Sequence, residues 1–288
     1  MTNRPHKIAA VVVLYNPDDG VVDNISTYIN QVDKLFVVDN SENINRDIIK
    51  RISAPNIKYI ENNTNLGIAT ALNIGAQNAI NENYDYLLTM DQDSKASERM
   101  VEVLVDIAAT SKDIGIIVGE HVNQDDQPKK VVEFSGEILS TVTSGNLLSL
   151  SAYQKVGGFL EELFIDHVDH EYCLRMNMNG YKIIKTTKTF LYHKVGDTQI
   201  KKLFFLTFCP SYHPPIRLYY RTRNRFFVDK IYQRKFPTYV RKDLKHFLRE
   251  ITEIVLYEQE VMIKIKMIWK GYKHYRRKIL GKYDPTKN

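Results

Sequence analysis

The chain has 288 residues, 43% hydrophobic and 26% charged, with a net charge of +6. That composition excludes disorder, and the length allows one large domain with an appended segment. No apolar run approaches the roughly 18 residues that cross a bilayer, and residues 1–7 are too polar for a signal peptide, so a cytoplasmic location is expected.

Residues 8–15 form a continuous, β-branched apolar run, as expected of a strand buried on both faces. Asn16-Pro17-Asp18-Asp19-Gly20 stops it, Val21, Val22, Ile25, Tyr28, Ile29 and Val32 then share a helical face, and residues 34–38 form a second strand. Further strands are expected at 57–60, 84–90 and 114–118, with helices over 68–80 and 97–109. This alternation predicts an α/β domain with a mostly parallel sheet flanked by helices. Past about Val195 the pattern changes. Val240, Leu244, Phe247, Leu248, Ile251, Ile254 and Val255 recur at helical spacing, as do Met262, Ile265, Ile268, Trp269, Tyr272, Tyr275 and Ile279. The expected division is a domain of residues 1–226 and a basic amphipathic helical segment of residues 227–288.

Charge is distributed unevenly. From Lys201 onward 22 Lys/Arg face 7 Asp/Glu, whereas residues 1–200 carry 18 against 27. A basic tail on an acidic body predicts contact with an anionic membrane surface, with the helices lying in its plane or packing on the main domain. Nucleic acid is not an expected partner, because the tail's aromatics follow helical spacing and match no binding motif. Cys173 and Cys209 lack any Cys-x-x-Cys spacing, which argues against a disulfide framework or a zinc site.

The chemistry is expected at strand ends. Residues 86–90 are apolar and are followed by Asp91-Gln92-Asp93-Ser94, two carboxylates at the carboxyl edge of a sheet, where open α/β folds bind ligands. Such oxygens suit Mg²⁺ or Mn²⁺ with positions left for diphosphate oxygens; an Asp-rich helix-capping turn has the same local pattern. Asp39 likewise ends the second strand, able to accept from a ribose hydroxyl or a base N–H. Asn65-Leu66-Gly67, then Asn73 and Gly75, put small residues at a helix start, allowing close approach of a ligand or of neighbouring backbone. No Gly-x-Gly-x-x-Gly follows the first strand and no phosphate-loop Lys is present, which argues against dinucleotide redox chemistry and nucleotide hydrolysis. Residues 166–171 (Asp-His-Val-Asp-His-Glu) offer carboxylates for general-base work, or for the charge favoured at a helix start.

In order and spacing, Val11-Val12-Val13-Leu14-Tyr15-Asn16, Val37-Val38-Asp39-Asn40, Asn65-Leu66-Gly67, Asp91-x-Asp93 and Asp169-x-Glu171 resemble family 2 glycosyltransferases of the GT-A, Rossmann-like fold. Met90-Asp91-Gln92-Asp93-Ser94, the segment from Phe164 to Arg175, and Pro215-x-Arg217-x-Tyr219-Tyr220-x-x-Arg223-Asn224 are most similar to bacterial rhamnosyltransferases of surface polysaccharide synthesis. The resemblance covers about residues 8–226. It implies an inverting enzyme that moves L-rhamnose from dTDP-β-L-rhamnose to a lipid-linked glycan, peripheral on the inner face of the membrane. It also implies donor contacts from Tyr15, Asn16, Asp39, Asn65, Gly67, Asp91 and Arg223, and a metal held by Asp93 with Asp91 and His193. Asp169 aligns with the family's general base; Val168 stands where many relatives have Glu, which leaves Glu171 and Asp166 as competitors. Ser144, Gly145 and Asp166 would line the acceptor pocket. The same motifs serve UDP-sugar donors such as UDP-galactofuranose, UDP-glucose or UDP-N-acetylglucosamine. A non-catalytic glycan-binding member is a further alternative, against which the retained Asp91, Asp93 and Asp169 argue.

Overall fold

The computed structural model describes residues 6–123, 133–193, 201–203, 206–208, 210 and 212–287; Cys209 and residues 1–5 lie outside them. The chain forms two compact units. One comprises Met1–Glu161 with Val168–Lys194, the other Glu162–His167 with Val195–Asn288.

The first unit is built on a nine-stranded sheet. Strand β1 (Ile8–Leu14) is buried along its whole length, which is why it lacks polar alternation. It pairs in parallel with β2 (Lys34–Asp39) and β4 (Tyr86–Asp91), and β2 pairs in parallel with β3 (Ile57–Glu61). Beyond β4 lie β8 (Asn146–Ser149), β6 (Ile114–Asn123), β9 (Lys182–His193) and β5 (Ser94–Ala96), while β7 (Ser135–Ile138) pairs with β9. Because β8 is antiparallel to both β4 and β6, the mutually parallel β6 and β9 run in the direction of β1 to β4. The sheet is therefore mostly parallel, as expected. Chain order reverses at β1, with β2 on one side and β4 on the other, so the crevice beyond their carboxyl ends is a topological switch point.

Helices α1 (Gly20–Ser26), α2 (Arg46–Ile52), α3 (Ile68–Asn81), α4 (Met100–Ala108), α5 (Leu150–Val156) and α6 (Val168–Met178) complete this unit. One core cluster runs from Ile8 through Tyr28, Leu35 and Leu104 to Leu191. The helix expected through Val32 stops at Ser26, and a 3₁₀ turn follows at Ile29–Gln31. Thr27 Oγ1 donates to Asn24 O at 2.7 Å, a local bond that competes with the helical ladder. Gly75 serves packing: a Cβ there would lie 2.3 Å from Val11 Cγ2, so its absence lets α3 rest on β1. Asn73 is also structural, holding Phe159 N–H and C=O at 2.8 and 2.9 Å.

The second unit has a two-stranded ribbon, β10 (Lys201–Leu203) and β11 (Leu206–Phe208), and helices α7 (Pro215–Tyr232), α8 (Pro237–Tyr257) and α9 (Val261–Arg276). Proline opens α7 and α8, where its fixed φ suits the first turn and its missing N–H costs nothing. Gly271 lets α9 approach α7, since a Cβ there would meet Tyr219 O at 2.5 Å. Helix α7 thus belongs to the helical unit, and the division falls ahead of it rather than after residue 226. Leu218, Phe247, Ile254 and Ile268 form the apolar centre.

Beside that centre, Arg225 donates to Asp243 Oδ2 at 2.6 Å and to Glu250 Oε2 at 3.2 Å. Asp229, one turn further along α7, is buried, and among the described residues neither carboxylate oxygen has a hydrogen-bond partner. Burial, and then the charge of Asp243, push its pKa up to about 7. An unfolded Asp ionises near 4, so between about pH 4 and 7 the folded state keeps a proton that the unfolded chain releases, and stability falls as pH rises through that window. Asp229→Asn removes this cost. Urea midpoints should show the variant's advantage larger at pH 8 than at pH 5 by about 1–2 kcal/mol, whereas equal gaps would mean that Asp229 is ionised at both.

Candidate active site

The loops leaving β1, β2 and β3 are tied into one cradle by hydrogen bonds that their side chains accept and donate. Asn16, at φ 45°, donates its N–H to Ser41 Oγ at 2.8 Å. Asp39 accepts the Ser41 N–H at 2.8 Å and the Tyr59 hydroxyl. Burial and the Asp39 carboxylate hold the Tyr59 phenol well above its ordinary pKa, so it remains a donor. Asn40 Nδ2 donates to Gly67 O at 3.1 Å, and the Gly67 N–H donates to Asn65 Oδ1 at 2.9 Å. Gly67 caps α3 at φ 87°, a conformation other residues rarely adopt. Asp39 itself is 1% exposed, so it organises the cradle from beneath, while Tyr15 at 45% forms the open surface.

Across the switch point, Tyr15 is clamped to Gln92 by reciprocal bonds of 2.8 and 3.3 Å. This joins the cradle to the carboxylates after β4. Ligand atoms of Asp91, Asp93 and His193 lie within 4.8 Å of one another, and His193 Nδ1 is 3.4 Å from Asp93 Oδ1. Antiparallel pairing of β5 with β9, with Ser94 opposite His193, brings the histidine there. A relay fixes the edge: Asp91 N–H donates to Ser144 Oγ at 3.0 Å, Ser144 Oγ donates to Ser94 Oγ at 2.9 Å, and Ser94 Oγ lies 3.1 Å from His193 Nδ1. His121 Nε2–H donates to Ser144 O at 3.0 Å, and burial lowers the His121 pKa and favours the neutral ring. Two carboxylates and one imidazole, converging and partly exposed, fit a divalent cation that accepts oxygen and nitrogen while keeping open positions.

Asp169 lies in the first turn of α6, where it accepts the His170 N–H at 2.8 Å on Oδ1; Oδ2 takes no hydrogen bond among the described residues. With Thr89 and Thr143 it lines a cavity of about 10 Å³, beside the strand end that carries Asp91. The other two candidate bases are engaged. Glu171 is 3% exposed and pairs bidentately with Arg175 at 2.9 Å through both oxygens, while Arg175 also holds Val156 O and Gly158 O. Asp166 belongs to the helical unit and is held bidentately by Arg217 at 2.7 and 2.8 Å.

Arg223, expected at a diphosphate, is fully buried in the helical unit. Its five N–H groups donate to Asn224 Oδ1, Tyr219 Oη and the carbonyls of Gly281, Glu162 and Leu163. It is a scaffold residue. Ser144 and Gly145 are also buried: the serine serves the relay, and the Gly145 N–H donates to Thr89 O at 2.7 Å. Gln92, Ser94, Tyr59 and His121 were not expected as site residues. Ser94 was visible only as part of the Asp-x-Asp run, and the others depend on partners 20 or more residues away.

A family model described as "Glycosyl transferase family 2" matches residues 9–173. The dTDP-rhamnosyl transferase RfbF of Shigella flexneri is 27% identical over 249 residues, covering 77% of this chain and 79% of its own. The crystal structure of GalNAc-T7 with UDP, GalNAc and Mn²⁺ is similar with a TM-score of 0.62 and 13% identity, over 95% of this chain and 56% of that one. TarS of S. aureus is similar with a TM-score of 0.54 and 14% identity, over 93% of this chain and 43% of that one. At these identities the two structures speak for the fold, and the chain spans about half their length.

Glu171 and Asp169, two residues apart, should separate cleanly in stability. Glu171→Gln leaves Arg175 without its buried counter-charge and should cost about 2–3 kcal/mol in chemical denaturation. Asp169→Asn should change stability by less than about 0.5 kcal/mol.

Proposed function

The chain belongs to glycosyl transferase family 2 and has the GT-A fold, and from that premise we propose that this glycosyltransferase moves L-rhamnose from dTDP-β-L-rhamnose to a lipid-linked glycan, with inversion, at the inner face of the membrane. The observation that carries the catalytic reading is the convergence of Asp91, Asp93 and His193 at the switch point, with Asp169, whose Oδ2 takes no hydrogen bond among the described residues, beside the same strand end. Similarity to a dTDP-rhamnosyl transferase supports the donor.

In the proposed reaction the cradle of Tyr15, Asn16, Asp39, Asn65 and Gly67 holds the nucleoside end of the donor, with Asp91 toward the diphosphate. Asp93, with Asp91 and His193, would hold Mn²⁺ or Mg²⁺, and such an ion would supply positive charge toward the departing diphosphate. Asp169 accepts the proton of the acceptor hydroxyl as its oxygen bonds to the anomeric carbon and the bond to the phosphate oxygen breaks. dTDP leaves, and attack from the opposite face converts the β donor to an α-L-rhamnoside. Glu171 and Asp166 are held by arginines, which supports Asp169 as the base. The basic helical unit meets the membrane that carries the acceptor.

The test is nucleotide release from dTDP-rhamnose and a panel of UDP-sugars, with Mn²⁺ or Mg²⁺ and a lipid-linked GlcNAc-type acceptor. Acceptor-dependent dTDP release from dTDP-rhamnose alone is expected, lost on chelation and in Asp93→Ala. Asp169→Ala should fall about 10²–10⁴-fold in kcat with a folded protein. Release only from a UDP-sugar would overturn the donor, and wild-type rates in Asp169→Ala would overturn the base.

A further inference from the structure

The end of α8 and the start of α9 display large apolar side chains to solvent: Met262 is 82% exposed and Ile263 51% on α9, with Val255 at 53% and Leu256 at 47% on α8, and Trp269, about two turns further along α9, is 61% exposed. Single exposed apolar residues are ordinary, but a cluster at one corner marks a contact surface. Its arrangement along α9 is periodic. Met262, Lys266, Trp269, Lys273 and Arg276 recur every three or four residues as one stripe, while Lys264, Ile268, Gly271 and His274 face inward. The stripe opens on an apolar residue and then sets Trp269 among the basic residues Lys266, Lys273 and Arg276. No acidic residue occurs in α9, and Arg277 and Lys278 extend the exposed charge beyond it.

The corner is preformed. Lys264 Nζ and Glu258 Oε2 pair at 2.6 Å with side chains only 7% and 3% exposed, which neutralises one acid of the turn and locks the helix start. Glu260, the exposed acid at the corner, sits at the N-terminus of α9, where the helix dipole favours it. Among the described residues no helix is long and apolar enough to cross a membrane.

We propose that this corner is the edge by which the helical unit enters an anionic phospholipid surface. Met262 and Ile263 insert among the acyl chains, Trp269 lies at the headgroup level, and Lys273, Arg276 and Arg277 meet the lipid phosphates. This deepens the membrane reading above and rests on it, but is independent of the donor.

Trp269 is the only tryptophan in the chain, so its fluorescence reports this surface directly. The full-length protein is mixed with vesicles of phosphatidylglycerol and phosphatidylethanolamine, or of phosphatidylcholine alone. Flotation with the anionic vesicles, a blue shift of Trp269 emission and quenching by brominated acyl chains are expected. Met262→Glu with Ile263→Glu should lower the partition coefficient at least about ten-fold, and Lys273→Ala about five-fold with a weaker salt dependence, leaving dTDP release to a water-soluble acceptor unchanged. Flotation with no spectral change, undiminished in the double variant, would overturn the corner while membrane docking stands. No flotation with any vesicle would overturn both. A change of oligomeric state in the double variant without vesicles would assign the corner to a second copy of the chain and overturn the proposal.

Discussion

Parallel pairing of β1 with both β2 and β4 is the constraint on which the site depends. It sends the three strands' carboxyl ends to one edge with chain order reversing at β1, so the loops after Leu14, Asp39 and Asp91 open together. Burial of β1 on both faces holds that alignment, because a slip of one residue would disturb packing on two sides at once. The loops then bind one another through Asn16 with Ser41, Asn40 with Gly67 and Tyr15 with Gln92. Their shape is set before any ligand arrives, which is the condition for electrostatic stabilisation without reorganisation during reaction.

Carboxylates in this chain divide by what reaches them. Glu171 and Asp166 each lie under an arginine fork, and Asp39 is closed in by Ser41 and Tyr59. These groups give up reactivity for order. Asp93 is exposed and Asp91 half-buried, close to one another and to His193, and Asp169 has one oxygen that takes no hydrogen bond among the described residues. Converging carboxylates and an imidazole at a strand end are the kind of cluster that a divalent cation can bridge.

Around its apolar centre the helical unit buries several charges and leaves some large apolar side chains in solvent. Arg223, Arg225, Lys264 and Asp229 lie inside it while Met262, Ile263 and Trp269 lie outside. The buried arginines are held, Arg223 by three carbonyls with Asn224 and Tyr219 and Arg225 by two carboxylates, so they rigidify the unit. Rigidity inside and apolar surface outside suit a unit that docks without refolding, because a preordered surface loses little entropy on binding.

By itself the sequence determined the elements with a strong period and the strand end at which the candidate site lies. A long β-branched run such as β1, or a helix of four or more turns such as α8, states its own burial; so does an apolar strand that stops at Asp91 and Asp93. Elements of three to seven residues, such as β5, β8 and α2, span too little of any period to declare themselves. Only the tertiary structure decided that His193 would stand beside Asp93, since that depends on β9 pairing with a three-residue strand almost a hundred positions earlier. Likewise it distinguished the surroundings of Asp166, Asp169 and Glu171. All three are carboxylates within six positions, and their difference lies in whether Arg217 or Arg175 reaches them, a matter of side-chain geometry in three dimensions that local composition does not encode.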